Sequence, residues 1–341
     1  MHSALTPVLA TLRQGQPVDR DEFAQAIGVI MDGAASEVEI AALLTALAMC
    51  GETADDLSGV ASAMRQRMMR IPTTRNGLVD TCGTGGDGLQ TFNISTATAI
   101  VVAAGGVPVA KHGNRSVSSS SGSADVLEQL GVDINLTPEQ VGRCIDEVGI
   151  GFCFARLLHT AMKHVAPVRA ALGFRTIFNL VGPLTNPAGA QHQLLGANSI
   201  ETAEKMAEAL ARLGTQRSFV VCGANQLDEV ALWNVTSAFE VKGQHVEHLC
   251  WNASDFGLPE CSPDELRVTS AAESSEVVRR VLQGDKGPAR NIVVANAAAA
   301  FLVASKVSTL HIGVELAASL IDKGTARAKL DELARWTASQ A

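Results

Sequence analysis

Over residues 1–72 the apolar positions recur at helical spacing. Leu5, Val8, Leu9 and Leu12 form one stripe, and Ile40, Leu43, Leu44 and Leu47 form another. Such intervals place each set on one face of a helix. Polar residues stand where those helices should begin. Asp19 with Glu22 and Ser36 with Glu39 read as reciprocal caps, Thr53 opens a fourth helix, Gly51 ends the one before it, and Pro72 closes the set. No strand-like alternation interrupts them, so residues 1–72 are expected to form a small all-helical domain.

At Leu78 the pattern changes. "GLVD" (77–80), "VPVAK" (107–111), "GIGFCFA" (149–155) and "RSFVVCGA" (217–224) are short apolar runs that read as strands. Helical patterns lie between them over 94–104, over 123–131 and after Thr137, and an Ala-rich helical tail starts at 287. Residues 235–249 suit a hairpin turning at Lys242–Gly243. Strands alternating with helices predict a larger α/β domain over 73–341 with a mixed or parallel central sheet. The Pro- and Gly-punctuated segment 166–190 reads as turns crossing between the domains, part of it packing on the helical one.

Composition narrows the function. The chain is 47% hydrophobic but 4% aromatic, with no Tyr, so Ala and Leu carry most of the packing. A formal charge of −8 argues against a nucleic-acid binder. An anionic ligand must be held by a local group of donors. No apolar run reaches the ~18 residues of a membrane span, and the longest candidate, 292–304, is interrupted by Asn296. Seven Cys without a C-x-x-C pair or an N-terminal signal pattern read as reduced thiols of a cytoplasmic protein.

"DTCGTGGDGLQTFNIST" (80–96) contains G-x-G-x-x-G at Gly83, Gly85 and Gly88. A dinucleotide turn needs an acid about 20 residues further on for the ribose hydroxyls. After Asp87 the next acid is Asp125. Between them lie Lys111, His112, Arg115 and many Ser and Thr, a donor set suited to several phosphates. No G-K-[ST] follows, so this is not a Walker loop. Asp87 fits beside phosphates if it meets ribose hydroxyls, a cation, or a carbon that becomes positive during reaction. A phosphorylated sugar reacting at its anomeric carbon supplies all three. Asp228 and Glu229, after a strand, are candidates to hold Mg²⁺ on such a ligand.

"GTGGDGLQTFNIST" (83–96), "KHGNRSVSSSSGSADVLEQLG" (111–131), "VRAALGFRTIFNLVGPLTNPA" (168–188) and "LDE" (227–229) resemble, in order, the anthranilate phosphoribosyltransferases. The resemblance implies transfer of phosphoribose from phosphoribosyl pyrophosphate (PRPP) to the amine of anthranilate in tryptophan biosynthesis, with inversion at C1. It implies a fold similar to the class II nucleoside phosphorylases, a homodimer, and Mg²⁺ as cofactor, two ions per site. By the same resemblance Gly83, Gly86, Asp87 and Thr91 line the PRPP site, and Asn93, Ile94, Ser95 and Thr96 hold phosphate or ribose. Lys111, His112, the loop Gly113, Asn114, Arg115, Ser116, Val117, Ser118 and Ser119, and Ser123 close over pyrophosphate. Gly83, His112, Asn114 and Arg169 face anthranilate; Ser95, Asp228 and Glu229 are the metal ligands; Asp87 and Lys111 stabilise the transition state. One departure is Thr160, where the family commonly has Pro.

Two rivals use the same scaffold. A nucleoside phosphorylase would take phosphate as nucleophile, and a non-enzymatic nucleic-acid-binding relative would show a basic groove and eroded loops. The intact "GTGGD" and "LDE" and the negative charge place the second last. The remaining histidines, His159 among them, are read as ordinary core or surface residues.

Overall fold

The computed structural model describes residues 2–116 and 121–340. Four helices come first: α1 (Leu5–Arg13), α2 (Arg20–Met31), α3 (Glu37–Cys50) and α4 (Ala54–Arg67). Ser36 and Glu39 exchange backbone contacts in a capping box, as do Thr53 and Asp56. Asp19 caps α2 differently from expectation: its carboxylate accepts from the N–H groups of Asp21 and Glu22, with no return bond from Glu22. One oxygen of the Asp19 carboxylate takes both first-turn donors, which satisfies the helix start without Glu22.

The chain then alternates: β1 (Val79–Gly83), α5 (Ile94–Ala104), β2 (Val109–Gly113), α6 (Ser123–Gln129), α7 (Pro138–Val148), β3 (Ile150–Phe154), α8 (Ala155–Leu158), α9 (Ala166–Leu172), β4 (His192–Gly196), α10 (Ile200–Arg212) and β5 (Arg217–Gly223). The hairpin β6 (Thr236–Lys242) and β7 (His245–Trp251) follows, then α11 (Ala271–Gln283), α12 (Pro288–Val303), α13 (Leu310–Asp322) and α14 (Thr325–Ala338). The seven strands form one sheet in the order β3-β2-β1-β4-β5-β6-β7, parallel through β5 and antiparallel beyond. The fold is thus a small helical domain on a larger α/β domain with a mixed sheet.

Four further details differ from the sequence reading. Strand β4 was not anticipated: its apolar content is Leu194 and Leu195 alone, yet it lies between β1 and β5. Strand β2 starts two residues late, because Pro108 has no N–H for a ladder and contributes only its carbonyl, to Val79 N–H. The hairpin turns at Gly243–Gln244, with Lys242 still paired to His245; Gly243 takes a φ of +60°. Segment 166–190 also contains α9 rather than turns alone.

Adjacent strand residues feed opposite layers, as a pleated sheet requires. Leu194, Phe219 and Val221 join α5, α11, α12 and α14 on one face. Leu195, Val220 and Cys222 join α10, the N-terminal helices and Val165, Val168, Phe178 and Leu184 on the other. Strand order reverses direction between β1 and β4. In open α/β sheets ligands sit at the carboxyl ends of the strands at such a switch, which here means Gly83 and Gly196.

Candidate functional site

Gly83 and Gly196 are partners in register at the ends of β1 and β4. The segment after β5 crosses directly over them. A Cβ on Gly83 would lie 2.2 Å from Asp228 Oδ2, and one on Gly196 would lie 1.5 Å from the Asp228 carbonyl oxygen. Neither glycine has positive φ; space is what requires them. The following turn is different, since Gly85, Gly86 and Gly88 take φ of +64°, +76° and +73°. That turn aims the Gly85 N–H at Asp228 Oδ2, 2.7 Å away.

Asp228 and Glu229 are recessed, with part of each side chain open to the cleft. Burial, then the nearby Asp87, pushes the Asp228 carboxyl up to about 7. Burial, then Asp228, raises Glu229 well above the carboxylate range. Three acids thus crowd one corner. Asp87 itself accepts from Leu89 N–H at 3.0 Å, and its carbonyl accepts from Gln226 Nε2 at 2.6 Å.

The N-terminus of α5 forms the adjoining wall. Asn93 caps it, accepting from Thr96 N–H, and donates to the Ser121 carbonyl at 3.0 Å. Lys111 is 2% exposed and donates to the Thr81 carbonyl at 2.7 Å and to Ser95 Oγ at 3.1 Å. Burial lowers its pKa, against the pull of Asp80, Cys82 and the Asp228–Glu229 pair. Asp80 is fully buried, and burial raises its pKa although it receives His112 N–H at 3.0 Å and Asn186 Nδ2 at 2.8 Å.

One cleft of about 400 Å³ brings together Gly83, Gly86, Asp87, Thr91, Asn93, Ile94, Ser95, Lys111, His112, Gly113, Asn114, Arg115, Ser116, Ser123, Arg169, Asp228 and Glu229. Thr96 stands apart: its side chain is fully buried behind the helix. Val117, Ser118 and Ser119 lie outside the described residues. Arg115 is turned onto Asp125 and Glu128, at 2.8 and 2.6 Å. Arg169 lies over the Phe178 ring at 5.9 Å, and burial lowers its pKa. Among the described residues no carboxylate pairs with Arg169.

Sequence reasoning missed several lining residues, including Arg175, Phe178, Asn179 and Ser121. Arg175 presses its guanidinium onto Gly86, where a Cβ would lie 1.8 Å from Nη1. The signal was present in "FRTIFN", but nothing in its spacing tells which side faces the cleft. His159 was read as ordinary; it meets His112 ring to ring beneath the cleft wall. A shallower groove lies at the far end of β5, but its Arg217 is committed to Glu240 and the Leu302 carbonyl.

Among the described residues no three His, Cys, Asp or Glu side chains converge as a metal cage. The Asp228–Glu229 pair still fits a divalent cation, because two recessed acids beside a third are crowded enough to hold protons at neutral pH, and a cation in their place would relieve that crowding. Mg²⁺ commonly takes one or two carboxylates and completes its shell from substrate phosphates and water. Among the described residues no helix is long and apolar enough to cross a membrane.

Comparison with known proteins agrees in both domains. Residues 6–68 match the glycosyl transferase family, helical bundle domain, and residues 75–327 match the glycosyl transferase family, a/b domain. The anthranilate phosphoribosyltransferase of Solibacter usitatus is 48% identical over 339 residues, covering 99% of this chain and 100% of that one. The crystal structure of the Thermus thermophilus enzyme superposes with a TM-score of 0.92 at 42% identity, covering 99% and 100%. The Saccharomyces cerevisiae enzyme in complex with PRPP and Mg superposes with a TM-score of 0.90 at 25% identity, covering 99% of each chain.

Proposed function

The chain belongs to the anthranilate phosphoribosyltransferase family, and from that premise we propose that the switch-point cleft is where PRPP and anthranilate meet. The enzyme transfers phosphoribosyl from PRPP to the amine of anthranilate, releasing pyrophosphate, in tryptophan biosynthesis. The observation that carries the assignment to this cleft is its lining: donors of the glycine turn and α5, a buried lysine, two recessed acids, and an arginine on an aromatic ring that no carboxylate among the described residues pairs.

In this reading the glycine turn and the α5 N-terminus offer backbone N–H groups to phosphate. Lys111 holds Ser95 by hydrogen bond and adds fixed positive potential. Asp228 and Glu229 would hold Mg²⁺, two ions per site with Ser95 as a further ligand. When bound, that metal neutralises charge developing on the departing pyrophosphate. Asp87 faces the ribose, where a carboxylate favours a carbon gaining oxocarbenium character. Arg169 receives the anthranilate carboxylate and points the amine at C1 from the face opposite pyrophosphate. The C1–O bond breaks, the C1–N bond forms with inversion, and the amine proton leaves to solvent. An aromatic amine is largely unprotonated at neutral pH, so no strong base is required, and positioning supplies much of the acceleration.

We further propose that residues 1–72, with part of 166–190, act as one unit against 73–341, that the enzyme is a homodimer joined through the helical unit, and that it works in the cytoplasm. The seven free cysteines suit a reducing compartment. The direct test is to incubate the protein with PRPP, Mg²⁺ and anthranilate and follow the loss of anthranilate fluorescence. Phosphorolysis of uridine instead, with anthranilate untouched, would transfer the site to a different nucleophile.

A further inference from the structure

Helix α12 is almost wholly apolar inside the fold, and Ala295, Ala297, Ala298, Ala299 and Ala300 are fully buried. Asn296 in their midst is also fully buried. Its amide is completely used. Oδ1 accepts Val230 N–H at 2.9 Å, and Nδ2 donates to the Val230 carbonyl at 3.0 Å and to the Ile292 carbonyl at 2.9 Å. Holding both the N–H and the C=O of one residue fixes that residue in orientation as well as position. Val230 is the residue directly after Glu229.

The rest of the segment is confined from other sides. Ala231 N–H donates to Thr236 Oγ1 at 3.0 Å, and a Cβ on Gly223 would lie 2.6 Å from the Glu229 carbonyl oxygen. Upstream, Asp228 rests on the Gly83–Gly196 pair. The Asp228–Glu229 pair is therefore a short bridge between two anchors, with Asn296 as its downstream one. Each of these hydrogen bonds contributes modest net stability, and an apolar side chain here would leave the Val230 N–H and C=O buried and unpaired. Beyond that stability, the two-point contact confers geometry.

We propose that Asn296 is a positioning residue that sets Asp228 and Glu229 at the spacing needed for a divalent cation. This rests on the reading of those two acids as metal ligands. Partners of ligands typically cost 10–100-fold in metal affinity when removed. Asn296→Ala should therefore raise the Mn²⁺ concentration for half-occupancy, measured by electron paramagnetic resonance in the presence of PRPP, by about 10- to 100-fold. The Mg²⁺ concentration for half-maximal rate should rise in parallel, while the rate at saturating Mg²⁺ stays close to wild type. Asn296→Asp keeps the acceptor for Val230 N–H and nearly the same volume but sets its second oxygen against the Val230 and Ile292 carbonyls, and should lose at least as much as Asn296→Ala. Val303→Ala, about two turns further along the same helix, is the control for lost stability alone and should leave metal binding unchanged.

The double substitution Asp228→Asn, Glu229→Gln separates the two readings. If it weakens Mn²⁺ binding and both Asn296 variants bind as wild type does, Asn296 has no positioning role. If the double substitution leaves Mn²⁺ binding intact, the acids are not the metal ligands and the proposal falls with them. Weakened binding in Val303→Ala equal to that in Asn296→Ala would reduce the effect to stability.

Discussion

His112 and His159 meet Nε2 to Nε2 at 3.1 Å, with ring centroids 5.1 Å apart, under the wall of the cleft. Two imidazolium rings could not sit so, since both nitrogens would carry protons. Burial, then the neighbouring ring of His159, drives His112 well below its ordinary pKa, and burial lowers His159 to about 4. The pair is held neutral at pH 7, one ring donating and the other accepting.

A His lowered in the fold binds fewer protons than its unfolded counterpart, so stability falls as pH drops from about 6.5 toward 4. For His159 the full difference is about 3 kcal/mol. His159→Gln should remove that component, so the gap in urea stability between wild type and variant should narrow as pH falls through this range. Asp228 acts with opposite sign, because its raised carboxyl binds protons in the fold across part of the same range. The informative quantity is therefore the difference between the two proteins. A constant difference from pH 7 to 4 would mean that His159 does not resist protonation.

Gly196 tests how the acids are seated. Its missing Cβ leaves room for the Asp228 carbonyl, and that neighbour is backbone, which cannot rotate aside. Gly196→Ala should destabilise by about 1–3 kcal/mol, the usual cost of overpacking, and should raise the Mg²⁺ requirement as the segment is displaced. Thermal melting and a Mg²⁺ titration of the rate would show both. A stable variant with a normal Mg²⁺ requirement would mean that the segment moves freely and that its seat on Gly196 is incidental.

Local signals made part of this molecule legible. The Ser36 and Thr53 caps, the apolar stripe of α3 and the glycine turn depend on residues a few positions apart, and a sequence shows them directly. Strand β4 was illegible because its neighbours, not its own short apolar content, make it a strand. Asn296 appeared only as an interruption of an alanine run, since its partner Val230 is 66 residues away. His159 meets a residue 47 positions earlier. Gly196 gave no sign either: its requirement comes from a segment that crosses it, not from a turn of its own.

Val38 and Met49 on α3 are 79% and 83% exposed. They are spaced by three helical turns and so share one stripe, opposite the buried Ile40, Leu43, Leu44 and Leu47. An apolar stripe left open on a helix that is already packed suits a second copy of the chain. Light scattering at micromolar concentration should report twice the 35.6 kDa chain mass. Val38→Glu with Met49→Glu should shift the protein to monomer with its helix content retained. A wild-type monomer would dispose of the dimer; a dimeric double variant would move the contact to another face.

Arg169 tests how the acceptor is held. Its guanidinium lies over Phe178, no carboxylate among the described residues neutralises it, and it shares the cleft with His112 and Asn114. A charge-assisted hydrogen bond contributes about 1.5–3 kcal/mol, or roughly 10- to 150-fold in affinity. Arg169→Ala should weaken anthranilate by that factor and leave PRPP affinity near wild type. Aniline, which has the amine but no carboxylate, should lose little in the variant. Arg175 is the alternative cation, and its place over Gly86 puts it nearer the PRPP side. Arg175→Ala should accordingly weaken PRPP more than anthranilate. Equal losses for anthranilate and aniline in Arg169→Ala, with a selective anthranilate loss in Arg175→Ala, would exchange the two roles and turn the acceptor around in the cleft.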